Sequence, residues 1–226
     1  MICASFDIGK KNFSFYVEYF DSDSLQSVKI PQTKRYNQDG TPSDEFSEIL
    51  TEYYLNGKKI LLENIDITNG CDPKVKLDPE TFHNMTDVLD QYQEIWDQCS
   101  VFIIEKQMQF GKQINPMAMK LGQHCYSYFA FKYGRFKEII EFPAYHKTQV
   151  LGAEKIKSSK KTKTGKYSYK TIDKPKRKKW CIMKAIEILQ SRGDQDSSDQ
   201  IKMSKKKDDL CDVVCQLQAW KIINYY

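Results

Sequence analysis

The sequence predicts an α/β fold, and three observations carry the prediction. Short apolar runs rich in β-branched and aromatic residues recur at 2–9, 12–20, 59–67, 100–107 and 136–142, each too short for a helix. Amphipathic helical patterns separate the later runs. The strand, helix, strand order, with near-continuous apolar strands, is the pattern of a crossover with parallel pairing. At 226 residues, 40% hydrophobic and 13% aromatic, the chain has the means to bury a core. We expect a single domain over residues 1–226, with insertions at about 21–57 and 154–174.

In chain order, residues 2–9 form an apolar strand holding one carboxylate, Asp7. Burying an unpaired carboxylate costs roughly several kcal/mol, so a cation, a metal or a set of donors should compensate it. Lys10 and Lys11 turn the chain into 12–20, an aromatic run with partial period-two alternation, and the two strands read as an antiparallel hairpin. Polar clusters between 21 and 57 surround a strand at 24–30 and a short helix at 44–54. A third strand follows at 59–67 and a turn at 69–73. Residues 79–98 read as one amphipathic helix, with Phe82, Met85, Leu89, Tyr92 and Trp96 at helical spacing. The strand at 100–107 ends, like the first, in a carboxylate, Glu105. A helix at 115–132 starts on Pro116, a fifth strand covers 136–142, and a short helix covers 145–151. Residues 158–174 contain almost nothing that could join a core and read as a loop. A helix at 176–190 turns Trp180, Ile182, Met183, Ile186 and Leu189 inward. A polar loop at 191–204, with Gly193 as the helix stop, precedes the last helix at 207–223.

The seven cysteines, at 3, 71, 99, 125, 181, 211 and 215, are odd in number and scattered, without a Cys-x-x-Cys pair. They read as free thiols of a reducing compartment, cytosol or nucleus, and they argue against a zinc site. No apolar run approaches the roughly 18 residues of a membrane span. Mean hydropathy is −0.63, and the N-terminus lacks the features of a secretory signal. Residues 154–179 hold twelve Lys and Arg against two acids, a local balance of +10 within a total of +5, which leaves the rest of the chain at −5. An acidic body with one basic segment suits a polyanion-binding protein that keeps an acid cluster of its own.

The last helix opens Lys-Lys-Lys-Asp-Asp-Leu-Cys-Asp. At 100° per residue, Asp209 and Asp212 lie about 60° apart beside the stripe of Leu210, Val213, Val214 and Leu217. Acids in a first helical turn are by themselves ordinary capping. Together with Asp7 and Glu105, each at a strand end, they form four carboxylates from three distant segments, the donor set of a divalent-cation site. Mg²⁺ or Mn²⁺ prefers oxygen ligands, and two such ions per site support phosphodiester cleavage.

The Asp-Ile-Gly strand end, the Phe-Ile-Ile-Glu-Lys-Gln strand and the Lys-Lys-Asp-Asp-Leu-Cys-Asp helix together resemble the RuvC-type Holliday junction resolvases of the RNase H-like superfamily, and the poxvirus-type resolvases among them. The resemblance runs in order from Asp7 to about Trp220. It implies an RNase H-like five-stranded mixed sheet, order 3-2-1-4-5, with helices on both faces. It implies metal-dependent resolution of four-way DNA junctions by a homodimer, with Asp7, Glu105, Asp209 and Asp212 as metal ligands. It also implies a lysine near the scissile phosphate, Lys179 as first choice and Lys147 as second. Lys10, Lys11, Lys160, Lys161, Lys163, Lys166, Lys176, Arg177 and Lys178 are the expected DNA contacts, made to phosphates more than to bases. The helix at 115–132, with Met117, Met119, Tyr126, Tyr128, Phe129 and Phe131, is the expected dimer face. Met108 and Phe110 are placed to sit against an unstacked base. Two other readings remain: a nuclease of RNA–DNA hybrids, and a non-catalytic nucleic-acid-binding protein working through residues 154–179.

Overall fold

A computed structural model describes residues 1–28, 34–107, 114–161, 165 and 167–226. Its main sheet has five strands, β1 (Ile2–Asp7), β2 (Phe13–Tyr19), β3 (Lys58–Ile65), β4 (Val101–Lys106) and β5 (Glu138–Pro143), in the order β3-β2-β1-β4-β5. β2 pairs antiparallel with β1 and β3, while β1–β4 and β4–β5 are parallel. This is the mixed sheet expected from the resemblance.

Period-two alternation divides the strands between two cores. Ala4, Phe6, Phe13, Phe15, Phe102 and Ile104 face α3 (Pro79–Gln91), α4 (Gln93–Trp96) and α5 (Pro116–Tyr133). Cys3, Tyr16, Val101 and Ile103 face α2 (Asp44–Leu55), α7 (Lys174–Ser191), α8 (Gln195–Met203) and α9 (Lys207–Tyr225). Asp7 follows the parity of Cys3, and Glu105 that of Val101 and Ile103, so both carboxylates belong to the α9 face.

α9 is buried almost all round from Leu210 to Ile222. Gln216 fastens it to the sheet: its amide nitrogen donates to Ser5 Oγ at 3.1 Å, Phe6 O at 3.2 Å and Ile103 O at 3.1 Å, spanning β1 and β4. Further along, Glu18 on β2 is fully buried. It accepts from Tyr16 Oη at 2.7 Å, Arg192 Nη1 at 2.5 Å, Gln218 Nε2 at 2.8 Å and Lys221 Nζ at 2.8 Å. Burial alone would raise its pKa, but Lys221 and Arg192 bring it down to about 2. Gly57 makes room for this cluster, because a Cβ there would lie 2.6 Å from Arg192 Nη2.

The structure departs from expectation at several points. The strand expected at 24–30 is replaced by α1 (Ser22–Gln26), because Asp21 caps the N–H groups of Asp23 and Ser24; residues 29–33 lie outside the described residues. The helix expected over 79–98 breaks at Tyr92, where the Trp96 indole takes the Leu89 carbonyl at 2.7 Å. The loop expected at 158–174 contains a hairpin, β6 (Ile156–Lys161) and β7 (Tyr167–Lys170). The polar loop at 191–204 contains α8, capped by Asp194 through Ser197 N and Oγ and anchored by the buried Ile201. The inner face of α7 includes most of the expected residues, with Leu189 buried and Trp180, Ile182 and Ile186 packed partly buried against the core. Cys181, Ala185, Ile188 and Leu189 are buried, while Met183 is 61% exposed.

Residues 34–57 also prove to be part of the core. α2 buries Phe46, Ile49, Leu50, Tyr53 and Tyr54. The loop before it holds the root of the basic hairpin: Tyr36 Oη donates to Val150 O at 2.8 Å, and Lys155 N to Asp39 O at 2.6 Å.

Candidate metal centre

β1 and β4 run parallel, side by side, with Phe6 opposite Ile104. Asp7 and Glu105 therefore leave the carboxyl ends of adjacent strands on one face, where α/β sheets place their sites. α9 runs over that face with its N-terminal turns above the strand ends, and Gln216, one turn after Asp212, fixes its height. Asp7, Glu105 and Asp212 each offer an oxygen, and these atoms lie within 4.8 Å of one another. All three residues are partly buried.

Among the described residues, one cation enters this cluster. Lys147, on α6 (Tyr145–Val150), is 4% exposed. Its ammonium donates to Glu105 Oε2 at 2.7 Å and lies 3.3 Å from Asp212 Oδ2. Burial would push its pKa down, but Glu105, Asp212 and Asp7 more than reverse that and hold it well above the usual value. Asp7 is shifted the other way. Burial and the neighbouring Glu105 raise it well above the ordinary carboxylate range, against the pull of Lys147. Across β1–β2, Ser14 lies in register with Asp7, and its buried hydroxyl has no hydrogen-bond partner among the described residues.

Asp209 lies in the first turn of α9, outside the three-carboxylate group, but its charge reaches Asp7. Burial and Asp208 raise its own pKa to about 6. Asp208 itself pairs with Lys178 of α7.

The cluster opens into a cleft of about 700 Å³. Its floor includes Glu105, Lys147 and Asp212; Lys174, Arg177 and Lys178 line it from α7, Pro143 from the end of β5, and Ala144 and Tyr145 from the start of α6. Positions 174, 177, 178 and 181 form one helical stripe, so Lys179 falls off it and is exposed, as is Lys176. Of the two lysines considered for the site, the structure brings Lys147 to the carboxylates. Lys11 is exposed, and Lys10 donates to Lys76 O at 3.1 Å. Lys163, Lys166, Met108, Phe110 and the side chains of Lys160 and Lys161 lie outside the described residues.

Sequence reasoning missed Gln216 and Lys174. A glutamine inside Val-Val-Cys-Gln-Leu-Gln-Ala-Trp is a polar break in an otherwise apolar run, and that was its only signal.

The donor set fits a hard divalent cation. It is all oxygen, it carries three carboxylates against one ammonium, and it includes a carboxyl whose charge the chain leaves poorly compensated. On the α5 face expected for dimerisation, Phe129 is buried, Met117, Tyr126 and Tyr128 pack in the same core, and Phe131 is 95% exposed. No helix among the described residues is long and apolar enough to cross a membrane.

No family model matches the chain. It is 38% identical over 229 residues to uncharacterized protein 170L of Invertebrate iridescent virus 6, covering 96% of this chain and 87% of the relative. It is 30% identical over 230 residues to uncharacterized protein 97L of Invertebrate iridescent virus 3, covering 96% and 98%. Among solved structures it is similar to the fowlpox virus resolvase in complex with substrate Holliday junction DNA. There the TM-score is 0.55 at 17% identity, covering 98% of this chain and 97% of the other. It is also similar to Thermus thermophilus RuvC in complex with a Holliday junction substrate, with a TM-score of 0.51 at 13% identity, covering 97% and 92%. At these identities the likeness is one of fold, the five-stranded mixed sheet and its surrounding helices.

Proposed function

Because the chain belongs to the same family as the iridescent virus proteins 170L and 97L, and has the fold of the fowlpox virus resolvase and RuvC, we propose that it is a divalent-metal-dependent DNA endonuclease that resolves four-way junctions by paired symmetric nicks. The observation that carries the reading is the convergence of Asp7, Glu105 and Asp212, the last two of which line a cleft with a basic wall. Asp209 is the fourth ligand of the proposal, reached through its side of the α9 turn.

In this reading Asp7, Glu105, Asp209 and Asp212 hold Mg²⁺ or Mn²⁺, two ions per site. When bound, such ions supply an activated water and stabilise the leaving 3′-oxygen. The chain's own residues do the rest. Asp7 and Glu105, fixed on adjacent strands, and Asp212, set by the Gln216 anchor, hold the ligand oxygens without reorganisation. Lys147 offsets part of the acid charge and presents a fixed positive charge to the phosphoryl group; we assign it, rather than Lys179, as the lysine of the site. Lys174, Arg177 and Lys178 bind the phosphates of the strand entering the cleft. Lys10, Lys11, Lys176 and the lysines of the β6–β7 segment, Lys160, Lys161, Lys163 and Lys166 among them, hold the flanking arms. Two copies paired through α5, with Phe131 at the contact, place two clefts on one junction.

The test is parallel digestion of a four-way DNA junction and an RNA–DNA hybrid, with Mg²⁺ and with EDTA. The reading expects the junction to be nicked only with Mg²⁺ and the hybrid to survive. Cutting of the hybrid alone would move the assignment to an RNase H, and metal-independent binding without any nick would move it to a binding protein.

A further inference from the structure

The cleft has an aromatic side as well as a basic one. Tyr145, the first residue of α6, is 53% exposed and lines the cleft. Its ring stands 4.3 Å from the His146 ring, centroid to centroid, and His146 stands 5.2 Å from the buried Phe142. One flank of the Tyr145 ring is thus backed by a ladder of rings rooted in the core. Among the described residues no hydrogen bond ties its hydroxyl. Tyr145 lines the same cleft as Glu105, Lys147 and Asp212, so its exposed ring and the carboxylates open onto one concave site.

Single exposed aromatics are ordinary on protein surfaces. Phe131 and Phe136 are more exposed than Tyr145, at 95% and 98%, and carry no such argument. What sets Tyr145 apart is its place in a concave site that also presents acids and phosphate-binding cations. A strand laid in this cleft would have its phosphates drawn to the α7 cations, Lys174, Arg177 and Lys178, which leaves the Tyr145 side of the cleft for a base. A base stacked inside a duplex has no free face to offer such a ring, whereas a strand that exchanges partners at a branch point can turn one out.

We propose that Tyr145 is the stacking platform for the nucleobase beside the scissile phosphate, so that the cleft selects a strand whose base has left its duplex stack. This rests on the nuclease reading above and adds a specificity-determining residue to it. Base–aromatic stacking tolerates any base, so the selection is for DNA shape rather than sequence.

The test uses four-way junctions with 2-aminopurine placed singly at each position flanking the mapped nick, bound to the full-length protein with Ca²⁺ in place of Mg²⁺. The wild type and Tyr145→Phe should change the fluorescence of one flanking position, and Tyr145→Leu, of similar bulk without a ring face, should not. With Mg²⁺, Tyr145→Leu should cut about 5- to 150-fold more slowly than Tyr145→Phe, the range for losing one stacked base. Equal cutting by the Leu and Phe variants, or an unchanged fluorescence shift in the Leu variant, would overturn the proposal while leaving the nuclease reading intact. If the wild type binds the junction and never cuts it, the nuclease reading falls and the proposal, which is defined by a scissile phosphate, falls with it. If it does not bind the junction, both fall.

Discussion

α9 carries a buried ionic cluster near each end, and the two are balanced in opposite ways. Toward its C-terminus one carboxylate, Glu18, meets two cations, Arg192 and Lys221, with Tyr16 and Gln218 completing its hydrogen bonds. Its pKa is drawn down to about 2, while burial and Arg192 hold the Lys221 ammonium down to about 8 against the pull of Glu18. Toward the N-terminus, among the described residues, three carboxylates meet one cation, Lys147, and Asp7 is pushed well above its ordinary range. The first cluster has its counter-charges built into the chain and fastens β2, α7 and α9 together. The second lacks counter-charge, which is the electrostatic condition for taking up cations from outside. A buried ion pair in itself says little about purpose; the charge balance separates a fastening from a site.

The largest break in this comparison is Glu18→Gln. It leaves Arg192 and Lys221 buried with no carboxylate, at a cost of about 3–5 kcal/mol in urea unfolding. Junction cutting per folded molecule should stay as it was. Next is Lys147→Met, which should slow cutting about a hundredfold or more, the scale of losing one preorganised charge at a reacting group. It should also make the folded protein more dependent on Mg²⁺, read as a larger rise in melting temperature on adding the ion.

A pH titration of stability sharpens the contrast, because the clusters act with opposite sign. Glu18 titrates in the folded state at about 2 against an ordinary 4.5. Its contribution is full above pH 4.5 and is lost as the pH falls toward 2. Asp209 titrates at about 6 against an ordinary 3.8. Its contribution is full below pH 3.8 and is lost as the pH rises through 6. Urea midpoints between pH 3 and 7 should therefore lose their acid limb in Glu18→Gln, and their neutral limb should shrink in Asp209→Asn, the raised Asp7 supplying the rest. The smallest effect belongs to Lys178→Ala at the exposed Asp208 pair, within about 1 kcal/mol of the wild type in stability. Its mark should be a shallower salt dependence of DNA binding.

The acid-rich half of this comparison was legible in the sequence for a simple reason. Carboxylates at the ends of apolar strands violate the pattern around them, and period two places Asp7 and Glu105 on one face once both strands are recognised. Asp212 followed from the helical stripe of Leu210, Val213 and Val214. The fastening half was invisible. Glu18 reads as the polar member of an alternating strand, and Arg192 and Lys221 read as surface charges, because their partner is more than 170 residues away for Arg192 and more than 200 for Lys221. The same blindness hid Gln216, whose three contacts are all made across the fold. Local chemistry misled at α1 and α8, where Asp21 and Asp194 start helices within segments too polar to show an apolar stripe. Nor could the order of residues show that the 34–43 loop pins the root of the β6–β7 hairpin, so that two stretches read as separate insertions support each other.

The central claim is that the acid-rich end of α9 is a divalent-cation nuclease site. The most direct measurement is cleavage of an end-labelled four-way junction by the wild type and Asp7→Asn, with and without Mg²⁺, both nicks being mapped. The account predicts paired nicks at symmetric positions for the wild type with Mg²⁺, none without it, and at least about a thousandfold less cutting by a folded Asp7→Asn protein. Nicks that persist in EDTA, or an Asp7→Asn protein that cuts as the wild type does, would contradict it.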